Sequence, residues 1–296
     1  MEGLSAVASR AVGDLRETGE MIAFKHTVFA LPFAVVALVT AAAPEWPSPS
    51  TWLWVGVAMV AARTAAMAFN RLVDHRIDAE NPRTSGRALP AGRLGRGFAW
   101  AVTGLSAALL LVAAAALDPL CLALAPPALA VILGYSFAKR FTSAAHLWLG
   151  AALAIAPVGA WIAVTGTVAP PPLVLAAAVC LWVAGFDVIY SLQDEAFDRA
   201  HGLHSLPATL GGRRALQVAR VFHGLAMLGF LAFAVVAGGG PYRLLAAAAA
   251  GLLLVRQHRL VSADDLRAVD AAFFATNGVL AVLMGALFVI ARVAGT

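Results

Sequence analysis

The chain reads as an all-α, polytopic membrane protein with about nine transmembrane helices, in one domain over residues 1–296. Three observations predict this. Of the 296 residues, 61% are hydrophobic and only 12% charged, with a mean hydropathy of +0.83; a soluble domain sits nearer half apolar and a quarter charged. The apolar residues come in stretches of about 20, the length of helix that crosses a bilayer core of roughly 30 Å. The basic residues fall on alternate sides of those stretches, as they do in membrane proteins.

Residues 1–20 mix Leu, Val and Ala with Arg10, Asp14, Arg16, Glu17 and Glu20. That composition suits an amphipathic helix on the membrane surface and suits a solvated terminus equally well. Residues 22–43 end in Ala41-Ala42-Ala43, which resembles a signal-peptide cleavage site. A signal h-region runs only about 7–15 residues, so this stretch reads as a retained first span, Ile22–Ala43. Eight further spans follow: Thr51–Asn70, Phe98–Leu117, Leu120–Ala138, His146–Gly166, Pro172–Gln193, Ala215–Ala237, Tyr242–Val255 and Ala271–Val293. The eighth is the weakest, because Arg256 and His258 cut it short.

Of the 21 Lys and Arg residues, 18 lie before the first span or after the second, fourth, sixth and eighth, counting Lys25 and Arg220 in the first turns of the span that begins there. Arg243 and Arg292 alone lie on the other side, and Arg63 is within the second span. The positive-inside rule then places the N-terminus and the long loops, 71–97 and 194–214, in the cytoplasm of a cell whose inner membrane holds the chain. The opposite loops are short and rich in Pro and Gly, as turns are. The pI near 9.9 therefore reports topology and not a nucleic-acid partner. Cys121 and Cys180 fall inside spans and form neither a disulfide framework nor a metal spacing.

The chemistry-bearing residues gather at the ends of two spans. The second ends in Asn70-Arg71-Leu72-Val73-Asp74-His75-Arg76-Ile77-Asp78, and the sixth in Tyr190-Ser191-Leu192-Gln193-Asp194-Glu195-Ala196-Phe197-Asp198. Offset by 120 residues these align as a pseudo-repeat, Asn70 with Tyr190, Asp74 with Asp194 and Asp78 with Asp198. A spacing of four keeps the three side chains of each row on one helix face, drifting by about 40° over eight residues. Two facing rows would bring four carboxylates together, and unpaired they would repel. Hard oxygen ligands suit Mg²⁺, which keeps waters and bridges carboxylates to phosphates, so the natural guest is a Mg²⁺–diphosphate. Lys139 and Arg140, after the fourth span, can neutralise phosphate oxygens.

Deeper in the membrane, Arg63 stands seven residues before Asn70, and Asp187 seven before Asp194. A charge at that depth is expensive. The pair forms a salt bridge or lines a polar cavity that contacts substrate, and the second reading is favoured. A lipid diphosphate with an allylic tail would lose its diphosphate to leave a stabilised cation, which an electron-rich ring attacks. Phe69, Phe137, Phe186 and Tyr190 are candidates for cation–π contact with it, though ordinary packing accounts for any one of them. His201 and His204 lack the further ligands of a zinc site. His75 lies off the Asp74–Asp78 face. His26 and His146 read as interfacial rings, and Glu80 and Glu195 as solvated charges.

At these residues the sequence resembles the UbiA superfamily of intramembrane prenyltransferases. The match is carried by Asn70, Asp74 and Asp78; by Asp194 and Asp198; by Arg63, Asp187 and Tyr190; and by the segment Tyr135-Ser136-Phe137-Ala138-Lys139-Arg140-Phe141-Thr142. The tracts Asn81 to Gly92 and Gly202 to Pro207 are similar to the 4-hydroxybenzoate polyprenyltransferase branch. They look closest to a subgroup of menaquinone biosynthesis by the futalosine route, where the acceptor is a hydroxynaphthoate. The resemblance implies Mg²⁺-dependent transfer of a polyprenyl group from polyprenyl diphosphate to an aromatic carboxylate acceptor, as in ubiquinone or menaquinone synthesis, with no obligate protein partner. It implies catalytic roles for Asp74, Asp78, Asp194, Asp198 and Asp187, and metal ligation by Asn70, Asp74, Asp78, Asp194 and Asp198. Arg63, Asn70, Lys139, Arg140, Tyr190 and Lys25 are implied substrate contacts, with Arg63 or Lys25 facing the acceptor carboxylate. The competing readings are a lipid-diphosphate enzyme of the same fold with another reaction, such as cyclisation, and a transporter.

Overall fold

The computed structural model describes residue 19 and residues 29–296. The surface helix expected before residue 20, together with Lys25 and His26, therefore lies outside the described residues. Among those described the architecture is helical throughout: α1 (Leu31–Ala41), α2 (Pro49–Val73), α3 (His75–Glu80), α4 (Arg96–Leu117), α5 (Pro119–Ala138), α6 (Ala145–Thr165), α7 (Pro170–Ser191), α8 (Glu195–Ala200), α9 (Leu206–Leu210), α10 (Gly212–Val236), α11 (Pro241–Leu260), α12 (Val269–Ala271) and α13 (Asn277–Val293). A π-helical segment, Ala272–Thr276, joins the last two.

Seven of these segments are long and apolar enough to cross a membrane, and the chain is a multi-pass membrane protein. They cover the second to seventh expected spans and the ninth, apart from the end residues Gly166 and Ala237. The other two expected spans are α1, which is described over 11 residues, and α11, which has 20 but carries Arg243, Arg256, His258 and Arg259. Leu105, Leu252 and Val293 are each more than 70% exposed on the outer surface. Water would penalise such side chains, whereas lipid tails solvate them.

Local sequence sets the helix starts. Ser48 and Asp118 each accept a backbone N–H of the first turn, from Thr51 at 3.0 Å and from Leu120 at 2.7 Å. Each is followed by a proline, whose missing N–H is no loss at a helix start. Gly166 ends α6 in the left-handed region at φ +64°, which glycine adopts without steric cost.

The most buried of the spanning helices is α7, which packs against α6 and α10. Small residues permit the close approach. A Cβ at Gly150 of α6 would lie 2.2 Å from the Cys180 carbonyl oxygen, and one at Gly229 of α10 would lie 2.8 Å from the Ala178 Cβ. Trp182 of α7, fully buried, is ringed by Phe29, Phe33 and Phe186 at 5.1–6.4 Å between ring centroids.

Neither motif lies on a continuous helix. The α2 helix stops at Val73, and Asp74 caps it at φ −91°, ψ 5° before α3 begins. The α7 helix stops at Ser191, and a 3-10 turn, Leu192–Asp194, precedes α8. The single face expected from a spacing of four is thus bent at Asp74 and at Asp194. The 71–97 segment is not an open loop either. It folds back through α3 and seats Ala88, Leu89 and Leu94 against Ala68, Leu72 and Ala99.

Candidate functional site

The motif-bearing ends of α2 and α7, the C-terminal end of α5 and the N-terminal end of α6 converge on one polar cavity of about 250 Å³. Asn70, Asp74, Asp78, Asp194 and Asp198 all line it, as do Arg63, Lys139, Arg140, Asp187 and Tyr190. All ten of these residues, expected from the sequence as metal ligands, catalytic groups or substrate contacts, are therefore brought together; Lys25 lies outside the described residues.

The acids are not left to repel one another. Each has its own cation. Arg140 donates to Asp74 at 2.9 Å, and the same nitrogen donates to the Val73 carbonyl at 2.8 Å, at the C-terminal end of α2 where a cation is favoured. Arg87 donates to both oxygens of Asp78 at 2.7 and 2.9 Å, with Arg71 3.9 Å away. Arg83 grips Asp194 in a fork, Nε to Oδ1 at 2.9 Å and Nη2 to Oδ2 at 2.6 Å, and its Nη1 reaches the Tyr190 hydroxyl at 3.2 Å. Lys139 lies 3.2 Å from Asp198. Asn81 adds an amide N–H to Asp194 at 3.2 Å. Two of these pairs cross between the motif halves: Arg83 follows the first motif and holds the second.

Burial pushes the Asp74 carboxyl above its ordinary range, and the nearby Asp78 pushes it further, against the pull of Arg140. Burial alone would lower Lys139, but Asp198, Asp187 and Asp194 outweigh it and hold the ammonium charged. Asn70 spends its amide nitrogen on Asp74, at 2.8 Å, which leaves its oxygen available as a ligand.

Arg63 and Asp187 do not form the salt bridge that was one of their two readings. Both line the cavity, and Asp187 is bonded instead to His146, Nδ1 to Oδ2 at 2.7 Å. His146 is fully buried and not an interfacial ring. Among the described residues Arg63 has no ion-pair partner, and its Nε is buried with none. Phe186 and Tyr190 line the cavity, whereas Phe69 and Phe137 do not; Phe69 packs against Phe137 and Trp100 at 5.8 Å. His201 lies against Glu80 at 3.4 Å and stacks on Phe197, tying α8 to the end of α3.

A second cavity, about 620 Å³ and lined almost wholly by apolar residues of α2, α4, α5, α6 and α7, adjoins the polar one. Arg63, Met67, Tyr135, Leu149 and Leu153 line both. Together they join a chamber lined by charged and polar side chains to an apolar one.

Sequence reasoning missed Asn81, Arg83, Arg87 and His146 as site residues. The signal for the arginines was their density: the 71–97 segment carries six, more than topology needs. No signal in the sequence alone pairs His146 with Asp187.

Comparison with known proteins identifies the family and the fold. The model of the UbiA prenyltransferase family matches residues 30–289. A 4-hydroxybenzoate octaprenyltransferase from Nitrosomonas europaea is 35% identical over 172 residues, covering 57% of this chain and 58% of that protein. The chain thus spans under three fifths of that relative's length. A protoheme IX farnesyltransferase from Synechococcus elongatus is 35% identical over 72% of the chain and 69% of its own length. Among solved structures, the apo form of a UbiA homolog from Aeropyrum pernix K1 superposes with a TM-score of 0.82 at 33% identity, covering 90% of this chain and 97% of that one. A UbiA homolog from Archaeoglobus fulgidus bound to DMAPP and Mg²⁺ shares the fold, with a TM-score of 0.76 at 16% identity over 94% and 99% of the two chains.

Proposed function

Because the chain belongs to the UbiA prenyltransferase family, we propose that it transfers a polyprenyl group from polyprenyl diphosphate to an aromatic carboxylate acceptor, 4-hydroxybenzoate or a hydroxynaphthoate. The observation that carries this reading is the junction of the two cavities. The diphosphate fits the polar one and the isoprenoid tail the apolar one, with the reacting carbon near the shared residues Arg63 and Tyr135.

Asn70 and the four motif carboxylates are among the oxygen-bearing side chains that line the polar cavity, and among the described residues no three His, Cys, Asp or Glu side chains sit close enough to cage an ion. That donor set fits Mg²⁺, which completes its shell with water and phosphate oxygens. Asn70, Asp74, Asp78, Asp194 and Asp198 would hold it. Bound there, Mg²⁺ supplies positive charge to the leaving diphosphate. Arg83, Arg87, Lys139 and Arg140 then exchange their carboxylate partners for phosphate oxygens, which guanidinium forks grip well.

In the reaction the allylic C–O bond breaks and its electron pair stays with the diphosphate. A ring carbon of the acceptor, activated by the hydroxyl, forms the new C–C bond and loses its proton. Arg63 binds the acceptor carboxylate. Asp187 takes up a proton from the acceptor. The water-poor apolar wall protects the allylic cation from hydrolysis. The site lies in a single domain over residues 1–296, and its polar end faces the cytoplasm from the inner membrane.

The test is transfer of a radiolabelled polyprenyl group, in membranes, to 4-hydroxybenzoate or to a dihydroxynaphthoate, with Mg²⁺ or with EDTA. Mg²⁺-dependent labelling of one ring, lost in Asp74→Ala and Asp194→Ala, is expected. Folded protein that binds no prenyl diphosphate and labels neither ring overturns the reading.

A further inference from the structure

His146 stands outside the set of residues that touch metal or diphosphate in the proposed reaction, yet it is the most completely enclosed titratable side chain at the site. It is fully buried at the start of α6. Both of its ring nitrogens are used. Nε2 lies 3.1 Å from the backbone N of Leu206, and Nδ1 lies 2.7 Å from Asp187 Oδ2. A backbone N–H can only donate, so Nε2 must be the bare, accepting nitrogen. The ring proton is then on Nδ1, and Asp187 Oδ2 is the acceptor; the partners assign the tautomer. One carboxylate oxygen of Asp187 is thereby fixed, while its side chain remains 22% exposed to the cavity.

The helix contact that allows this is specific. Gly150 lies one turn after His146, and its missing Cβ lets α6 approach the Cys180 carbonyl of α7. Asp187 is two turns further along α7. On the other side of the ring, Leu206 opens α9, whose N-cap Ser205 is fully buried and accepts the Ala208 N–H at 3.3 Å. The same segment is tied to α5 through the His204 N–H, which donates to the Lys139 carbonyl at 2.6 Å. The ring of His146 therefore links the carboxylate at depth to the backbone that follows the second aspartate motif.

We propose that His146 is a positioning residue for the transfer. Acting through Asp187, it holds that carboxylate in the orientation and hydrogen-bonded state that meets the acceptor. This deepens the proposed function and rests on it. The residue contributes to the acceptor half of the reaction and leaves capture of the prenyl diphosphate to the cations and aspartates at the motif ends.

The test uses three variants of the full chain in detergent or nanodiscs. In His146→Asn the side-chain amide nitrogen falls near the place of Nδ1 and can still donate to Asp187. In His146→Gln the amide falls near Nε2 and can serve Leu206 only. His146→Leu serves neither. Loss of a hydrogen-bonding partner that orients a metal ligand costs about 10- to 100-fold, and the same scale is expected for His146 acting on Asp187. The expected result is a fall of that order in kcat for His146→Leu, a similar fall for His146→Gln and recovery to within a few-fold for His146→Asn. The KM for prenyl diphosphate and its Mg²⁺ dependence should stay within two-fold throughout. Equal loss in all three variants, or a rise in the prenyl diphosphate KM that tracks the loss, would mean a merely structural ring and overturn the proposal. Unchanged kcat in His146→Leu also overturns it. If His146→Leu does not fold, the order of Asn over Gln decides alone. Wild-type protein that transfers nothing to either ring sinks the proposed function itself, whereas active wild-type protein with insensitive variants sinks only the role of His146.

Discussion

Asp74 and Asp194 occupy the same place in two copies of one backbone device. Each sits where a spanning helix gives way to a six-residue helix, at φ −91°, ψ 5° and φ −101°, ψ 1°. Their surroundings then diverge. Asp74 is held by Arg140, which also caps the carbonyl end of α2, while Asp194 is held by a two-bond fork from Arg83. The pseudo-repeat is therefore one of backbone and acid, completed by arginines that come from different segments and bind in different geometries.

The two-bond fork predicts a specific phenotype for Arg83. Arg83→Ala removes both bonds to Asp194 and the contact with Tyr190. It should raise the KM for prenyl diphosphate by about 10-fold or more, since a charge-assisted fork is worth roughly 1.5–3 kcal/mol, and leave the acceptor KM unchanged. Steady-state kinetics with each substrate varied in turn checks this; a selective change in the acceptor KM would contradict it.

Asp74→Asn and Asp194→Asn keep the size of the side chain, but replace one of its two accepting oxygens by a donor and remove the charge that a cation needs. Each should lower transfer by about 100-fold or more, the scale of losing one preorganised electrostatic group. Chelation of divalent metal should do the same to the wild type, with full recovery on adding Mg²⁺. Activity that survives EDTA unchanged would count against metal ligation.

Arg63 is charged, deep in the membrane and without an ion-pair partner among the described residues. An arrangement of that kind costs about 2.5 kcal/mol or more and is kept for function. Arg63→Met should raise the thermal unfolding midpoint in detergent while raising the acceptor KM by about 10-fold or more. A phenol lacking the carboxylate should lose this sensitivity. Lower stability together with unchanged acceptor kinetics would make Arg63 a structural residue.

Gly150 and Gly159 lie on the same helix but face different surroundings. A Cβ at 150 would meet the Cys180 carbonyl oxygen at 2.2 Å, and one at 159 would meet nothing within 4 Å. Gly150→Ala should destabilise by about 1–3 kcal/mol through overpacking and weaken the His146–Asp187 bond by parting α6 from α7. Gly159→Ala should be neutral or slightly stabilising, since Ala is the better helix former. Unfolding midpoints of the two variants, measured side by side, decide the matter; equal midpoints would refute the close-packing account.

What the sequence determined by itself was whatever depends on local pattern. Runs of about 20 apolar residues placed the spanning helices, because the bilayer thickness fixes that length. The 120-residue offset of Asp74-xxx-Asp78 and Asp194-xxx-Asp198 exposed the pseudo-repeat, and hard oxygen donors in that number pointed to a metal-bound diphosphate. Arg63 and Asp187 stood out because charges are costly at their depth.

What only the tertiary structure decided was pairing. Arg83 and Asp194 are 111 residues apart, and His146 and Asp187 are 41 apart. No periodicity links them. A buried carboxylate must find a partner, but which of 21 Lys and Arg residues it finds depends on how the helix ends meet. The bends at Asp74 and Asp194 were hidden for the same reason. A spacing of four is equally compatible with a straight helix, and the break appears only once α3 and α8 are drawn inward by Arg87 and Lys139. Helix formation is a local balance that residue type reports directly. The choice among partners is a global one, settled by close contacts such as Gly150 against Cys180 that carry no signature until the chain is folded.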